Sequence, residues 1–248
     1  FFPSIDHAIL RNILTEKIGH ARVLRLIDLI LASGQGVLHG EYDMVYFPGD
    51  DLLAAARPRG LPIGNLTSQF WANVYLNPFD HFVKRELRVS GYVRYVDDFA
   101  LFGDDKAKLW RCLEAIVARL AALRLTIHPG APPRPVSEGV PFLGFVVFPH
   151  RRRLKRRKAI HFGRWLRRLA VAVSAGEVPV ARLTASVRGW VNHARYGNTV
   201  GLRKAVLRRA LGAHPLRDAA LLPSRPTSPT GRADLAGLEA VEAAGVVL

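Results

Sequence analysis

Cysteine, methionine and acidic side chains are scarce in this sequence, which has one cysteine, one methionine and 20 acidic residues among 248. The single cysteine, Cys112, excludes a disulfide framework and a cysteine-rich zinc site, and it fits a reducing compartment. Long hydrophobic runs are also missing, so no stretch is long enough to cross a membrane, and no secretory signal is found. We therefore expect a cytoplasmic protein without a membrane partner.

The shortage of acids leaves a large excess of positive charge. The chain has 36 Lys and Arg residues and a formal net charge of +16. This charge predicts a polyanionic partner, and nucleic acid is favoured over a membrane because no basic amphipathic anchor stands at either end. The strongest basic run contains no acid, which favours a surface that binds a nucleic-acid backbone over an ordinary solvated face. The run comprises Arg151, Arg152, Arg153, Lys155, Arg156, Arg157 and Lys158.

The most informative stretch is residues 91–102, where two apolar, β-favouring segments flank Asp97 and Asp98. The alternation of side chains predicts a β-hairpin with both acids at its turn. Two adjacent carboxylates repel each other, and a bound divalent cation is the usual compensation. A surface turn that carries two acids without a function is the alternative at this point.

Hydrophobic periodicity predicts an α+β protein, and the 49% of hydrophobic residues is ample for a core. A short strand is expected at residues 123–127 and a second hairpin at 139–148. We expect a first domain over residues 1–148, a basic helical region over 149–214 and a disordered tail over 215–248. The helical patterns lie around residues 10–18, 23–31, 67–87, 109–120, 162–173 and 180–194.

Four motifs resemble, in order and spacing, the palm of reverse transcriptases. Tyr95-Val96-Asp97-Asp98 resembles the aromatic-x-Asp-Asp signature of this family, and residues 61–69 resemble the glycine loop that precedes it. Residues 142–145 (Phe-Leu-Gly-Phe) resemble the primer grip, and residues 1–6 resemble the end of the first palm motif. The agreement covers residues 1–148, and the helices from 160 to 210 are similar, less specifically, to a thumb.

This resemblance implies a polymerase right-hand palm, an antiparallel sheet with packed helices, followed by a helical thumb, with the fingers largely absent. The implied activity is RNA-directed DNA synthesis by a two-metal mechanism. Asp97 and Asp98 would be the catalytic and metal-binding residues for two Mg²⁺ ions, with Mn²⁺ as an alternative. The implied contacts to nucleotide and template are Phe2 at the steric-gate position, Gly64, Ser68 and Gln69, and those to the primer are Phe142, Leu143 and Gly144.

The glycine loop also bears on the type of reverse transcriptase. Ile63 at its first position and Gln69 at its last are similar to the enzymes of diversity-generating retroelements, whereas group II intron and retron enzymes usually carry Gln and Pro there. The implied partners are a template RNA, an RNA–DNA duplex, deoxynucleoside triphosphates and an accessory protein of the retroelement, in a prokaryotic or phage setting. A group II intron or retron type is the alternative.

In this family the first palm motif supplies a further carboxylate, four residues ahead of the position that Phe1 occupies. We therefore expect an N-terminally truncated member whose metal site is incomplete, and little or no polymerase activity from the chain alone. One alternative is a catalytically inactive protein that only binds nucleic acid. Another is a gene remnant without a stable fold.

Overall fold

A computed structural model describes residues 1–36, 40, 44–127, 132–212 and 242–246. These residues form a mixed α+β protein, which confirms the predicted α+β class. The chain divides into two compact units. The first unit contains the described residues up to Arg134 together with a strand near the C-terminus, and the second contains those from Pro135 to Gly212.

Helices build the core of the first unit, and all of them were predicted from hydrophobic spacing. The third is central, because its side chains Ala72, Tyr75, Leu76 and Phe79 are buried at intervals of three and four residues. The helices are α1 (His7–Thr15), α2 (Ala21–Ser33), α3 (Leu66–His81) and α4 (Lys106–Ala122). Helix α3 ends earlier than predicted, and a π-helical turn (Phe82–Glu86) continues it.

A small antiparallel sheet covers this helical core. Strands β1 (Gly91–Tyr95) and β2 (Asp98–Gly103) form the predicted hairpin, and the backbone of β7 (Glu242–Val246) pairs with the other edge of β2. Phe99 of β2 is buried against the core. Strand β3 (Arg134–Pro135) completes the sheet in the order β1-β2-β7-β3.

The second unit joins a three-stranded sheet to helices. Its sheet comprises β4 (Val140–Phe142), β5 (Phe145–Val147) and β6 (Arg152–Leu154), so the hairpin predicted at 139–148 is confirmed. Its helices are α5 (Arg156–Ser174), α6 (Val180–Ala194) and α7 (Val200–Leu211), which enclose a core of Leu166, Val187 and Leu207.

The division between the units lies at residues 134 and 135, not near the predicted residue 148. Phe145 and Leu154 of the small sheet pack against Ala159 and Ala194 of the helices, which places the hairpin with the basic helices. Of the predicted tail, residues 215–241 and 247–248 lie outside the described residues, and residues 242–246 form β7.

The strand predicted at residues 123–127 is wrong. Residues 123 and 124 form a turn, in which Arg124 has a φ of +52° and the N–H of Leu125 bonds the carbonyl of Leu120 at 2.9 Å. Residues 125–127, the described residues that follow this turn, belong to no strand. Among the described residues, no helix combines the length and apolar character needed to cross a membrane.

Candidate functional site

Asp97 and Asp98 lie at the tip of the β1–β2 hairpin, as predicted. Tyr95 and Asp98 are the last paired residues, and Val96 and Asp97 form the two-residue turn. Val96 has a φ of +57°. A β-branched residue rarely adopts this conformation, which costs about 1–3 kcal/mol and persists only where surrounding contacts hold it. The tip of the hairpin is therefore a strained turn fixed from outside.

Arg94 supplies the contacts that hold this turn. Its Nη1 donates a hydrogen bond to the carbonyl oxygen of Val96 at 2.7 Å. The same guanidinium forms a bidentate pair with Asp80 of α3, from Nε to Oδ1 at 2.7 Å and from Nη2 to Oδ2 at 2.5 Å. The Arg94 side chain is only 11% exposed and that of Asp80 is 30% exposed, so the pair is partly shielded from water and from screening by salt. The strained turn is thus tied to a core helix.

Tyr92 and Phe99 complete the anchoring of the hairpin. The Tyr92 hydroxyl donates to Oδ1 of Asp80 at 2.6 Å, and burial together with this bond raises the pKa of Tyr92 well above its ordinary value. The phenol therefore stays protonated and remains a donor. The Phe99 ring lies 5.0 Å from that of Phe79 and 6.3 Å from that of Tyr92. These aromatic contacts fix where β2, and hence its first residue Asp98, begins.

The two carboxylates at the tip match part of a divalent-cation site. The described residues contain no cluster of three or more His, Cys, Asp or Glu side chains that could hold a metal. Asp97 is half-buried, and no cation among the described residues forms an ion pair with it. Mg²⁺ commonly takes one or two protein carboxylates and completes its shell with water and substrate phosphates. The donor set fits such a shared site, not a closed protein cage.

The predicted glycine loop leads directly into α3. Gly64 has a φ of +104°, and a Cβ there would meet no atom within 4 Å, so glycine is required by the backbone and not by crowding. Gln69 is exposed, whereas Ser68 is buried and faces the core. The structure thus leaves Gly64 and Gln69 accessible to a ligand. Ser68 would act through the backbone only.

One residue of α3 connects the glycine loop to the acidic turn. The side-chain amide of Asn73 donates to the carbonyl oxygen of Gln69 at 3.0 Å, and its Oδ1 accepts from Nη1 of Arg94 at 3.1 Å. Because the same Nη1 bonds Val96, the chain of contacts runs from Gln69 to the turn. The predicted nucleotide-contacting and metal-binding segments are therefore mechanically connected.

Phe2 lies beside the start of the glycine loop. Its carbonyl oxygen accepts from the N–H of Leu61 at 3.0 Å, three residues before Gly64. The side chain is half-buried, and its ring lies 5.6 Å from that of Phe1 in an edge-to-face arrangement. The backbone pairing brings two motifs that are 60 residues apart in sequence into contact, as expected if both line one site.

The structure also contains a polar cluster that sequence reasoning did not find. Asp6 caps α1, accepting from the N–H of Ile9 at 3.0 Å. Its Oδ2 lies 3.2 Å from Nε of Arg57 and 3.6 Å from Nε of Arg124. Arg124 also pairs with Asp50, and this contact lowers the pKa of the Asp50 carboxyl.

This second role of Asp6 left no signal in the sequence, because its partners are 51 and 118 positions away. The same cluster includes Tyr75 of α3, whose hydroxyl donates to the carbonyl oxygen of Leu123 at 2.6 Å. Burial raises the pKa of Tyr75 above its ordinary value. Asp6 is thus fully used in holding the fold, and it is not a replacement metal ligand for the acidic turn.

Nearly all of the net positive charge lies in the second unit. Residues 135–212 contain 17 Lys and Arg residues and only two acids, Glu138 and Glu177. Within the predicted basic run, Arg151 and Arg153 stack on the ring of Phe148 at 4.8 and 5.6 Å. The remaining members extend along β6 and the first turn of α5, and most of them are exposed.

The predicted primer-grip residues lie next to this basic run. Leu143 and Gly144 form the β4–β5 turn, with φ values of +47° and +85°. The carbonyl oxygen of Gly144 accepts from the N–H of Lys155 at 3.0 Å. A Cβ on Gly144 would lie 2.7 Å from Nζ of Lys158, so glycine lets this cation cross the turn. Phe142 precedes the turn at the end of β4 and is half-buried.

Comparison of the chain with models of protein families gives no match, and comparison with curated proteins gives none either.

Proposed function

We propose that this chain is the palm and thumb part of an RNA-directed DNA polymerase of the reverse transcriptase family, most similar to those of diversity-generating retroelements. The observation that carries the proposal is the strained turn of Val96 and Asp97, which presents two adjacent carboxylates and is tied to the core by Arg94. A surface turn without a function has no need of this support. The motif resemblance and the charge of the second unit point to the same activity.

The residues of the chain have separate parts in the proposed reaction. Asp97 and Asp98 bind divalent cation, which supplies positive charge against the phosphates of the incoming nucleotide. Gly64 and Gln69 lie exposed at the start of α3 and contact nucleotide and template. Arg94 and Asn73 position the turn relative to Gln69. None of these groups takes or gives a proton in this assignment.

The second unit holds the template–primer duplex by its phosphates. Its cations are Arg and Lys side chains on a strand and a helix, with two acids among residues 135–212. Phosphate contacts fix the position of a duplex without reading its sequence, as a polymerase requires. The Leu143-Gly144 turn, with Lys158 across it, contacts the primer strand.

Primer extension tests the polymerase assignment. A labelled DNA primer on an RNA template is incubated with deoxynucleoside triphosphates and Mg²⁺, and the wild type is compared with Asp97→Asn. We expect slow but measurable extension by the wild type, because two carboxylates at the turn are only part of a metal site. We expect none from the variant. Asp104→Asn is the matched control, since Asp104 lies beyond β2 and outside the turn.

A second candidate function is nucleic-acid binding without synthesis. It is favoured by the concentration of charge in the second unit, which requires no metal site. Tight duplex binding by a wild type that extends no primer supports this candidate and contradicts DNA synthesis by this chain. Extension that is unchanged by Asp97→Asn excludes the assignment of the turn.

A further inference from the structure

A groove runs between α5 and α7 in the second unit, and Arg156 is the one member of the basic run among its described lining residues. Its volume is about 510 Å³. This lies within the range of sites that bind a ligand or part of a partner. All of its lining residues belong to the second unit, so it is a feature of one compact body.

The floor of the groove is aliphatic and has helical spacing on both sides. On α5, Ile160 and Gly163 line it, and on α7, Leu202 and Val206 line it. Ile160 is 43% exposed, an unusual degree for a large aliphatic side chain. A Cβ on Gly163 would touch only Val206, at 3.5 Å, so the small residue leaves the groove open. Two parallel apolar stripes with an open seam are typical of a site where a further helix packs.

The rim of the groove is basic. Arg156, Arg164 and Arg167 project from α5 and Arg209 from α7, and none of the described lining residues is acidic. None of these four side chains forms an ion pair with a described residue. A partner that covered the floor would bring its own charges next to four guanidinium groups, so acidic residues beside its apolar stripe are required.

Nucleic acid fits this groove less well than a helix does. Single strands bind by stacking bases on aromatic rings, and no aromatic side chain is found among the described residues that line the groove. Duplex backbones need cations but gain nothing from an aliphatic floor. We propose that the α5–α7 groove is the docking site for an acidic amphipathic helix of a partner protein. Polymerase activity is not needed for this docking, so the two proposals can fail separately.

A designed peptide probe tests the groove. The probe is a synthetic helix of about 20 residues, long enough to be helical in isolation, with leucines on one stripe and glutamates flanking it. A matched peptide carries lysines in place of the glutamates. Fluorescence anisotropy with the whole chain should show saturable binding of the acidic peptide and at least roughly tenfold weaker binding of the lysine peptide.

Variants of the chain locate the binding. Ile160→Ser should weaken binding of the acidic peptide by roughly tenfold, in line with loss of one buried aliphatic contact. Arg167→Glu should weaken it and improve binding of the lysine peptide. Arg168→Glu is the matched control, because Arg168 is the adjacent exposed arginine outside the groove. Ile160 is already exposed, so the serine variant should keep the thermal midpoint of the wild type.

Three results would overturn the proposal. The first is equal binding of both peptides, and the second is binding that Arg168→Glu weakens as much as Arg167→Glu. The third is a drop in affinity for single-stranded RNA in Ile160→Ser, with RNA displacing the peptide, which would make the groove a nucleic-acid site.

Discussion

Nη1 of Arg94 lies 2.7 Å from the carbonyl oxygen of Val96, so the cation that pairs with Asp80 also closes the acidic turn. The bidentate pair keeps the guanidinium plane fixed. The hydrogen bond to Val96 therefore also fixes the backbone beside Asp97. Arg94 touches neither of the two proposed metal ligands in this network. It is a positioning residue.

Replacement of Arg94 should separate positioning from folding. We expect Arg94→Lys to retain one contact to Asp80 but lose the bidentate geometry, and to reduce the Mg²⁺ affinity measured in primer extension by about 10- to 100-fold. Arg94→Met should reduce it further. A purely structural role would lower the thermal midpoint and leave the Mg²⁺ dependence of the surviving protein unchanged. Arg85→Lys, on the exposed π-helical turn, is the control.

Glycine at position 96 should make the folded protein more stable than valine does. Val96→Gly removes the cost of a positive φ, about 1–3 kcal/mol, and adds the backbone entropy of glycine, about 0.5–1 kcal/mol. We expect the free energy of unfolding to rise by about 1 kcal/mol in urea titration. A loss of stability of similar size would show that the Val96 side chain packs more favourably than its backbone is strained.

Asp6 should contribute to stability through both its cap and its ion pairs. Asp6→Ala removes the acceptor for Ile9 and leaves Arg57 and Arg124 without this carboxylate, so we expect a loss of about 2–4 kcal/mol. Asp6→Asn keeps a good capping side chain and should cost about 1 kcal/mol less. Urea unfolding measures both. Equal effects of the two variants would assign the whole contribution to charge.

Duplex binding should depend steeply on salt. The logarithm of the association constant for an RNA–DNA duplex should fall linearly with the logarithm of salt concentration, at a slope set by the phosphates contacted. Arg157→Gln should make this slope shallower by about one. Arg25→Gln, an exposed arginine of α2 in the first unit, should leave it unchanged. A slope near zero for the wild type would contradict the basic interface.

His193 should make the second unit sensitive to mild acid. Burial, and then the charge of Lys158, lowers the pKa of His193 below its ordinary value. The unfolded state therefore binds the proton more readily, so stability is complete above about pH 6.5 and falls as the pH drops below it. His193→Gln should remove this part of the pH dependence in thermal unfolding between pH 7 and pH 5. If the variant kept the pH dependence of the wild type, other titratable groups would be responsible for the loss of stability in acid.

Local signals in the sequence were sufficient for most of the fold. Alternation around residues 91–102 predicted the hairpin, and spacing of three and four predicted α1 to α6, because these patterns depend on neighbours within one or two turns. The strand at 123–127 was wrong, since Leu125 bonds back to Leu120 and the chain turns before it can extend. The two acids and the basic run were visible because their chemistry is local.

The sequence by itself determined the α+β class, the two hairpins, the acidic pair at the turn and the place where the charge is concentrated. Tertiary structure alone decided that Arg94 joins Asp80 to Val96. It alone decided that Asp6 forms ion pairs with Arg57 and Arg124, and that the second hairpin packs with the basic helices. These contacts join residues that are far apart in the chain, and the pairing of one arginine among many depends on which side chains the packed core brings within hydrogen-bond distance. Periodicity and composition therefore cannot predict which arginine pairs with which partner.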